Sequence, residues 1–169
     1  MEYRLARVDE LEEIKGMYRE TISETERLGR PIWGNDYPVD FLHVDVENGR
    51  MYILVDDNTI VSSVALCDSI WDDSMVPWEN PQAKAKYIER LTVRPSHWRK
   101  GLSKLIMEKA EETARQAGIK YLRLYVIESN KPAFALYKKI GFHQIGGEYA
   151  IPVDDHFTLH TNVMEKRIM

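Results

Sequence analysis

One run constrains this chain more than any other: Leu91-Thr92-Val93-Arg94-Pro95-Ser96-His97-Trp98-Arg99-Lys100-Gly101-Leu102-Ser103. Its apolar, β-branched start reads as a strand over Lys86–Val93, and Pro95 stops it, because the residue before a proline is pushed to an extended conformation. A basic turn with Gly101 follows, and then Leu102, Leu105, Ile106, Ala110, Thr113 and Ala117 recur at helical spacing up to the stop at Gly118. A strand feeding a helix through a basic glycine turn points unpaired N–H groups and the positive end of a helix dipole at one place, which suits an anion. The plainer reading is a strand–helix connection with solvated bases. The coincidence of helix start, cations and a small residue at Gly101 favours the anion site.

A second run, Asn130-Lys131-Pro132-Ala133-Phe134-Ala135-Leu136-Tyr137-Lys138-Lys139-Ile140-Gly141-Phe142, reads as a short loop, a helix over Pro132–Ile140 and a glycine stop. Proline fits the first turn, where its missing N–H leaves no bond unmade. Tyr137 lies one turn after Ala133.

The remaining elements place these runs in an α/β chain. Glu2–Val8 reads as a strand, and Asp9 with Glu12 forms a capping-box pattern before a helix carrying Leu11, Ile14, Tyr18 and Ile22. Ile32–Pro38 is an aromatic loop and Val39–Glu47 a second helix. Met51–Val55 and Thr59–Cys67 read as a hairpin turned at Asp56-Asp57-Asn58. Ile70–Ala83 is a long loop, Tyr121–Ile127 a buried-type strand, and Phe142–Ile151 with Phe157–Glu165 a closing hairpin bent at Gly146-Gly147. The order is β-α-α-β-β-β-α-β-α-β-β, with no internal repeat or linker, so residues 1–169 are expected to form one domain.

Composition narrows the function. A net charge of −4 argues against general nucleic-acid binding. The N-terminal segment has no apolar signal region, and no apolar run approaches the ~20 residues of a membrane helix. The single cysteine, Cys67, excludes an internal disulfide and fits a reducing compartment, so a cytoplasmic protein without membrane partners is expected. Charge is also segregated. Arg90, Arg94, Arg99, Lys100 and Lys104 occupy a stretch with no acid, whereas Asp68, Asp72, Asp73 and Glu79 occupy one with no base. Two solvated loops would look the same as an anion-binding loop beside an acidic rim for a cationic substrate. The histidines show no metal-ligand spacing, so no metal site is expected.

The order of elements, the glycine turn and the Asn130…Leu136-Tyr137…Gly141-Phe142 run together resemble the GNAT superfamily of acyl-CoA-dependent N-acyltransferases. The resemblance covers nearly the whole chain and is strongest from Tyr87 to Phe142. The family's turn reads Gln or Arg, two residues, Gly, one residue, Gly or Ala. Here those positions are Trp98, Gly101 and Ser103; Trp98 departs in polarity, while Ser103 keeps the small size. The resemblance implies a GNAT-type fold, a central mixed, mostly antiparallel sheet with helices on both faces, and acetyl-CoA as acyl donor. It places the diphosphate at the N–H groups of Arg99, Lys100, Gly101, Leu102 and Ser103, with Arg94 and Lys104 adding charge nearby. The pantetheine arm would pair with the backbone at Leu91 and Val93, residues that also suit the core.

Asn130 resembles the family's cofactor-contacting asparagine and equally suits a helix cap. Tyr137 is the candidate acid that protonates the leaving thiolate, or a packed side chain against Ala133. Glu89, two residues before Leu91, is the candidate general base, or the partner of a nearby Lys or Arg. Trp33 and Tyr37 of the aromatic loop, with Asp72 and Asp73, are candidates for holding the acceptor. These readings imply an N-acetyltransferase acting directly on a primary amine of an acceptor that the sequence does not identify; the acidic loop favours a cationic small molecule, and a protein N-terminus or lysine is the other class. A non-catalytic acyl-CoA sensor and an interaction domain are the alternatives, and the terminal hairpin edge could support a homodimer.

Overall fold

The computed structural model describes all residues of the chain except Asn35, Trp71, Asp72, Val153, Asp154 and Phe157. In chain order the elements are β1 (Glu2–Leu5), α1 (Leu11–Arg27), α2 (Leu42–Glu47), β2 (Met51–Asp56), β3 (Thr59–Cys67), β4 (Ala85–Val93), α3 (Leu102–Gln116), β5 (Tyr121–Ile127), α4 (Lys131–Lys139), β6 (His143–Pro152) and β7 (Thr158–Arg167). This is the element order expected from the sequence. The seven strands form one sheet of order β1-β2-β3-β4-β5-β7-β6. The β4–β5 pair is parallel, and β1–β2, β2–β3, β5–β7 and β6–β7 are antiparallel. Among the described residues, no helix is long and apolar enough to cross a membrane.

The chain divides into two compact units: Met1–Leu66 with Glu89–Glu112, and Cys67–Ile88 with Thr113–Met169. In the first, β3 is the spine. Every residue from Ile60 to Leu66 is buried, which its β-branched run favours. The β2–β3 hairpin closes with Asp57 and Asn58 both at positive φ (44° and 61°), a two-residue turn that matches strand twist. Helix α1 buries Ile14, Tyr18 and Ile22 of its expected apolar stripe together with Met17, while Leu11 is half-buried. Its entry differs from the expected Asp9–Glu12 box. A single turn at Val8–Glu10 leads in, and Glu10 accepts the Arg7 N–H at 2.8 Å while Arg4 grips the same carboxylate. Glu10 therefore does the work assigned to Glu12.

In the second unit, β5 and β7 pair along their length. The β6–β7 register shifts between Gln144 and Glu148, where Gly146 takes φ +64°, so the expected bend at Gly146-Gly147 is a bulge. The expected strand start at Phe157 lies outside the described residues. Helix α3 buries Leu102, Ile106, Met107 and Ala110 in the first unit and Ala114 in the second. Of the expected stripe, Leu105 and Thr113 are half-buried, and Ala117, beyond the last turn, is exposed.

Candidate active site

In the first unit, β4 carries the site into the turn. The Arg94 N–H donates to Val61 O of β3 at 2.8 Å. Backbone alternation then directs the main-chain groups of Leu91 and Val93 to the opposite edge of the strand. Trp98 donates its indole N–H to Val93 O at 2.7 Å. The side chain that departs from the family's turn pattern is thus used to fold the turn back onto its own strand. Arg99 and Gly101 both adopt left-handed φ, 63° and 78°, so the chain swings sharply into α3. Arg99, Lys100 and Gly101 are exposed there. The first-turn N–H groups that follow lack intrahelical acceptors, as in any helix.

Arg94 does not join this cationic group. Its guanidinium donates to Ile60 O at 2.9 Å and pairs with Glu20 at 2.5 Å. It braces β4 against β3 and α1, which leaves Arg99, Lys100 and Lys104 as the turn's exposed cations.

Upstream on β4 the strand is interrupted. Arg90 has φ +52°, unusual for a residue with a Cβ. Regular alternation would send Glu89 and Arg90 to opposite faces; instead Arg90 Nη1 lies 3.2 Å from Glu89 Oε2. The two-residue spacing of Glu89 and Leu91 therefore does not by itself put their side chains on one face of β4. Other groups hold Arg90 in place. Asp45 of α2 accepts its Nε and Nη2 at 2.6 and 2.9 Å, Tyr37 accepts Nη1 at 3.3 Å, and Tyr18 donates to its carbonyl at 2.5 Å. Tyr18 in turn accepts from Ser63 at 2.9 Å and has Trp33 beside it, with ring centroids 5.4 Å apart.

The structure thus brings Glu89 and Tyr37 to Arg90, while Trp33 packs on Tyr18. The Glu89 side chain is only 15% exposed. Burial pushes its carboxyl up to about 7, assisted by Asp45 and opposed by Arg90 and Arg50. A carboxyl near 7 is half ionised at neutral pH and is a far better proton acceptor than an ordinary glutamate.

In the second unit, Asn130 caps α4, its Oδ1 accepting the Ala133 N–H at 3.3 Å. Its amide NH₂ retains two donors for another acceptor. Tyr137 is 7% exposed, and its ring lies 5.8 Å from that of Phe142. The Phe142 N–H closes onto Tyr137 O at 2.9 Å, with Gly141 at φ +101° making the stop.

The Asp73 carboxylate accepts the Trp78 indole at 2.9 Å and the Tyr87 phenol, so it pins the long loop to β4. Asp72 lies outside the described residues. Asp68 binds Lys86 at 2.5 Å. His143, Glu79 and Glu165, a set the spacing did not reveal, have ligand atoms within 4.8 Å of one another. Glu165 there is already engaged by Arg123 at 2.8 Å and by the Glu79 N–H at 3.0 Å.

Sequence reasoning missed Asp45, Arg50, Tyr18 and Ser63. Only the Asp45–Arg50 pair had a local signal. Asn48-Gly49 ends α2, and the Arg50 N–H closes back on Asp45 O at 3.0 Å, which brings the two side chains together at 2.7 Å.

Comparison with known proteins identifies the family. Residues 14–142 match the acetyltransferase (GNAT) family, and the chain belongs to it. Streptothricin acetyltransferase of Streptomyces lavendulae is 28% identical over 105 residues, 62% of this chain but only 50% of that protein, so the match spans half the relative's length. A GNAT-family acetyltransferase of Streptococcus agalactiae superposes with TM-score 0.81 at 18% identity, covering 98% of this chain and 94% of the other. The paia N-acetyltransferase of Thermoplasma acidophilum, solved in complex with coenzyme A, gives TM-score 0.68 at 22% identity, covering 98% of both chains. At such identities the structural likeness establishes the fold.

Proposed function

We propose that this protein moves the acetyl group of acetyl-CoA directly onto a primary amine of a small molecule, without a covalent enzyme intermediate. Family membership and the solved coenzyme A complex of a fold relative support the donor. The relative named for streptothricin supports a small-molecule acceptor. The observation that carries the reading is the buried Glu89 carboxyl, raised to about 7, on the strand that runs into the glycine turn.

The diphosphate is held by main-chain N–H groups from Arg99 to Ser103, each worth roughly 1.5–3 kcal/mol to a charged oxygen. The dipole of α3 adds about 0.3–1 kcal/mol, and the Asn130 amide is a further donor. The pantetheine amides pair with main-chain groups of Leu91 and with the Val93 N–H, since Trp98 uses the Val93 carbonyl.

The acceptor enters as an ammonium of pKa ~10.4 and must lose a proton. Passing it to an ordinary carboxylate is uphill by about 8 kcal/mol; passing it to Glu89 is uphill by about 4.6 kcal/mol. The neutral amine then attacks the thioester carbonyl, the C–N bond forms, the C–S bond breaks, Tyr137 gives its proton to the departing thiolate, and the second proton shed by the new amide nitrogen restores the Tyr137 phenol through water. Tyr37, which accepts from Arg90, and Trp33, which packs on Tyr18, line the acceptor side. Asp73 acts indirectly by fixing the long loop. Asp68 is neutralised by Lys86, so the acidic run adds little support for a cationic acceptor.

Incubation with acetyl-CoA and a panel of amines, following free thiol, tests the reading. Turnover is expected to rise with pH through about 7, and Glu89→Gln is expected to lose about 10²-fold or more. Tyr137→Phe should lower kcat much more than coenzyme A affinity. Full turnover in Tyr137→Phe would remove its acid role, and no turnover with any amine despite coenzyme A binding would refute the transferase reading.

A further inference from the structure

We propose that Asp45, which lies behind Arg90, is the positioning residue of the base: it clamps the Arg90 guanidinium so that the opposite edge of the same group fixes the Glu89 carboxylate beside Tyr37. This rests on the reading of Glu89 as base, and every residue involved belongs to the first unit.

The geometry is that of a relay through one rigid plane. Asp45 is 1% exposed and takes three charged donors: Arg50 Nε at 2.7 Å, Arg90 Nε at 2.6 Å and Arg90 Nη2 at 2.9 Å. Two parallel bonds to one carboxylate fix the orientation of a planar guanidinium. Nη1 then projects onto Glu89 Oε2 and Tyr37 Oη. The backbone is fixed as well, because Tyr18, braced by Ser63, holds the Arg90 carbonyl where φ is positive. A guanidinium held on both sides cannot swing away, so Glu89 has one place to sit.

The clamp also has an electrostatic consequence. The charged and titratable groups around Glu89 are Arg90, Asp45, Arg50 and Tyr37. Asp45 offsets the positive charge that would otherwise drive Glu89 toward permanent ionisation. Removing the Asp45 charge leaves Arg90 and Arg50 acting on Glu89 without that opposing charge, so Glu89 becomes more acidic. Removing Arg50 leaves Asp45 less neutralised, so Glu89 becomes less acidic. A side chain that merely filled space would give neither sign.

The test is the titration of Glu89 by carboxyl-carbon NMR, its signal identified by its loss in Glu89→Gln, in the wild type, Asp45→Asn and Arg50→Gln. The midpoint is expected to fall by about one unit in Asp45→Asn and to rise in Arg50→Gln. The acid limb of the kcat profile should follow, so that at pH 6 Asp45→Asn retains about fivefold more of its own plateau rate than the wild type. Asp45→Glu should restore the wild-type midpoint. Arg50 is partly exposed, so Arg50→Gln supplies the readout if Asp45→Asn does not fold. Unmoved midpoints in the folded variants would overturn the proposal. Undiminished turnover in Glu89→Gln would instead overturn the base reading, leaving the NMR midpoints to decide the clamp by themselves.

Discussion

Replacing Gly101 with alanine separates two jobs that the turn performs, folding and gripping an anion. Gly101 has φ +78°, and no heavy atom of the described residues lies within 4 Å of where a Cβ would stand. The folding penalty is therefore one of backbone conformation alone, about 1–2 kcal/mol for an L-residue in the left-handed region. The loss of unfolded-state freedom from Gly to Ala returns about 0.4–1 kcal/mol, so the net cost is about 1 kcal/mol. With a urea m-value of roughly 2 kcal/mol/M, the midpoint falls by about 0.5 M. If the diphosphate occupies the open space above Gly101, the added methyl also forces it off at least one N–H group. That loss is about 1.5–3 kcal/mol, or roughly 10–100-fold in coenzyme A Kd. Gly118→Ala is the control, because Gly118 also has positive φ (73°) and open surroundings, at the other end of α3. Urea melts should move alike in the two variants, while calorimetry should show weaker coenzyme A binding only for Gly101→Ala. Equal affinity in both variants would refute the placement of the diphosphate.

Two further outcomes follow from buried charge. The folded Glu89 carboxyl, at about 7, lies above the ordinary 4.5, so the folded state holds that proton more tightly. Its favourable contribution is full below 4.5 and disappears as pH rises through 7, so Glu89→Gln should gain stability on the wild type by up to about 3 kcal/mol between pH 5 and pH 8 in urea melts. In the second unit, Arg123 donates to the fully buried Glu165 at 2.8 Å and to Asn80 O at 2.8 Å, and stacks over Trp78 at 4.4 Å. Arg123→Met should cost about 3–5 kcal/mol by stranding the Glu165 charge, and Glu165→Gln in the same background should recover part of it; no recovery would mean that the lost packing on Trp78 dominates.

What could be read from the sequence was local. Pro95, Gly101 and the apolar spacing of α3 lie within a few residues of what they determine, so the strand, turn and helix were legible. The same holds for the Asp57-Asn58 turn and for the Asn130 cap. Arg94 shows where this reasoning stops. Its neighbours in sequence are cationic, which suggested a shared role at the turn, but its partners Glu20 and Ile60 come from α1 and β3. No window around residue 94 contains them. The capping of α1 failed for a smaller reason. Asp9 and Glu12 have the right spacing, but Arg4 offers Glu10 a bidentate pair, and the single turn it stabilises moves the helix start.

The interruption at Arg90 is the sharper case, because the sequence argues against it. A bend inside a strand is usually marked by glycine, which adopts positive φ without strain; here the position holds a long charged residue between Glu89 and Leu91. Its left-handed backbone costs about 1–2 kcal/mol, and something distant must offset it. Asp45 and Tyr18 are those distant groups, each supplying a bond to a charged or strongly polarised partner at 2.5–2.9 Å. Strain at one residue and its restraint by two others lie on three different elements, so neither is visible in a pattern of spacing. The same arrangement turns Glu89 and Arg90 to one side and buries the carboxylate enough to raise it to about 7. A glycine at position 90 would allow the bend but would remove the guanidinium that holds Glu89. The residue least suited to the backbone is therefore the one the proposed chemistry requires there.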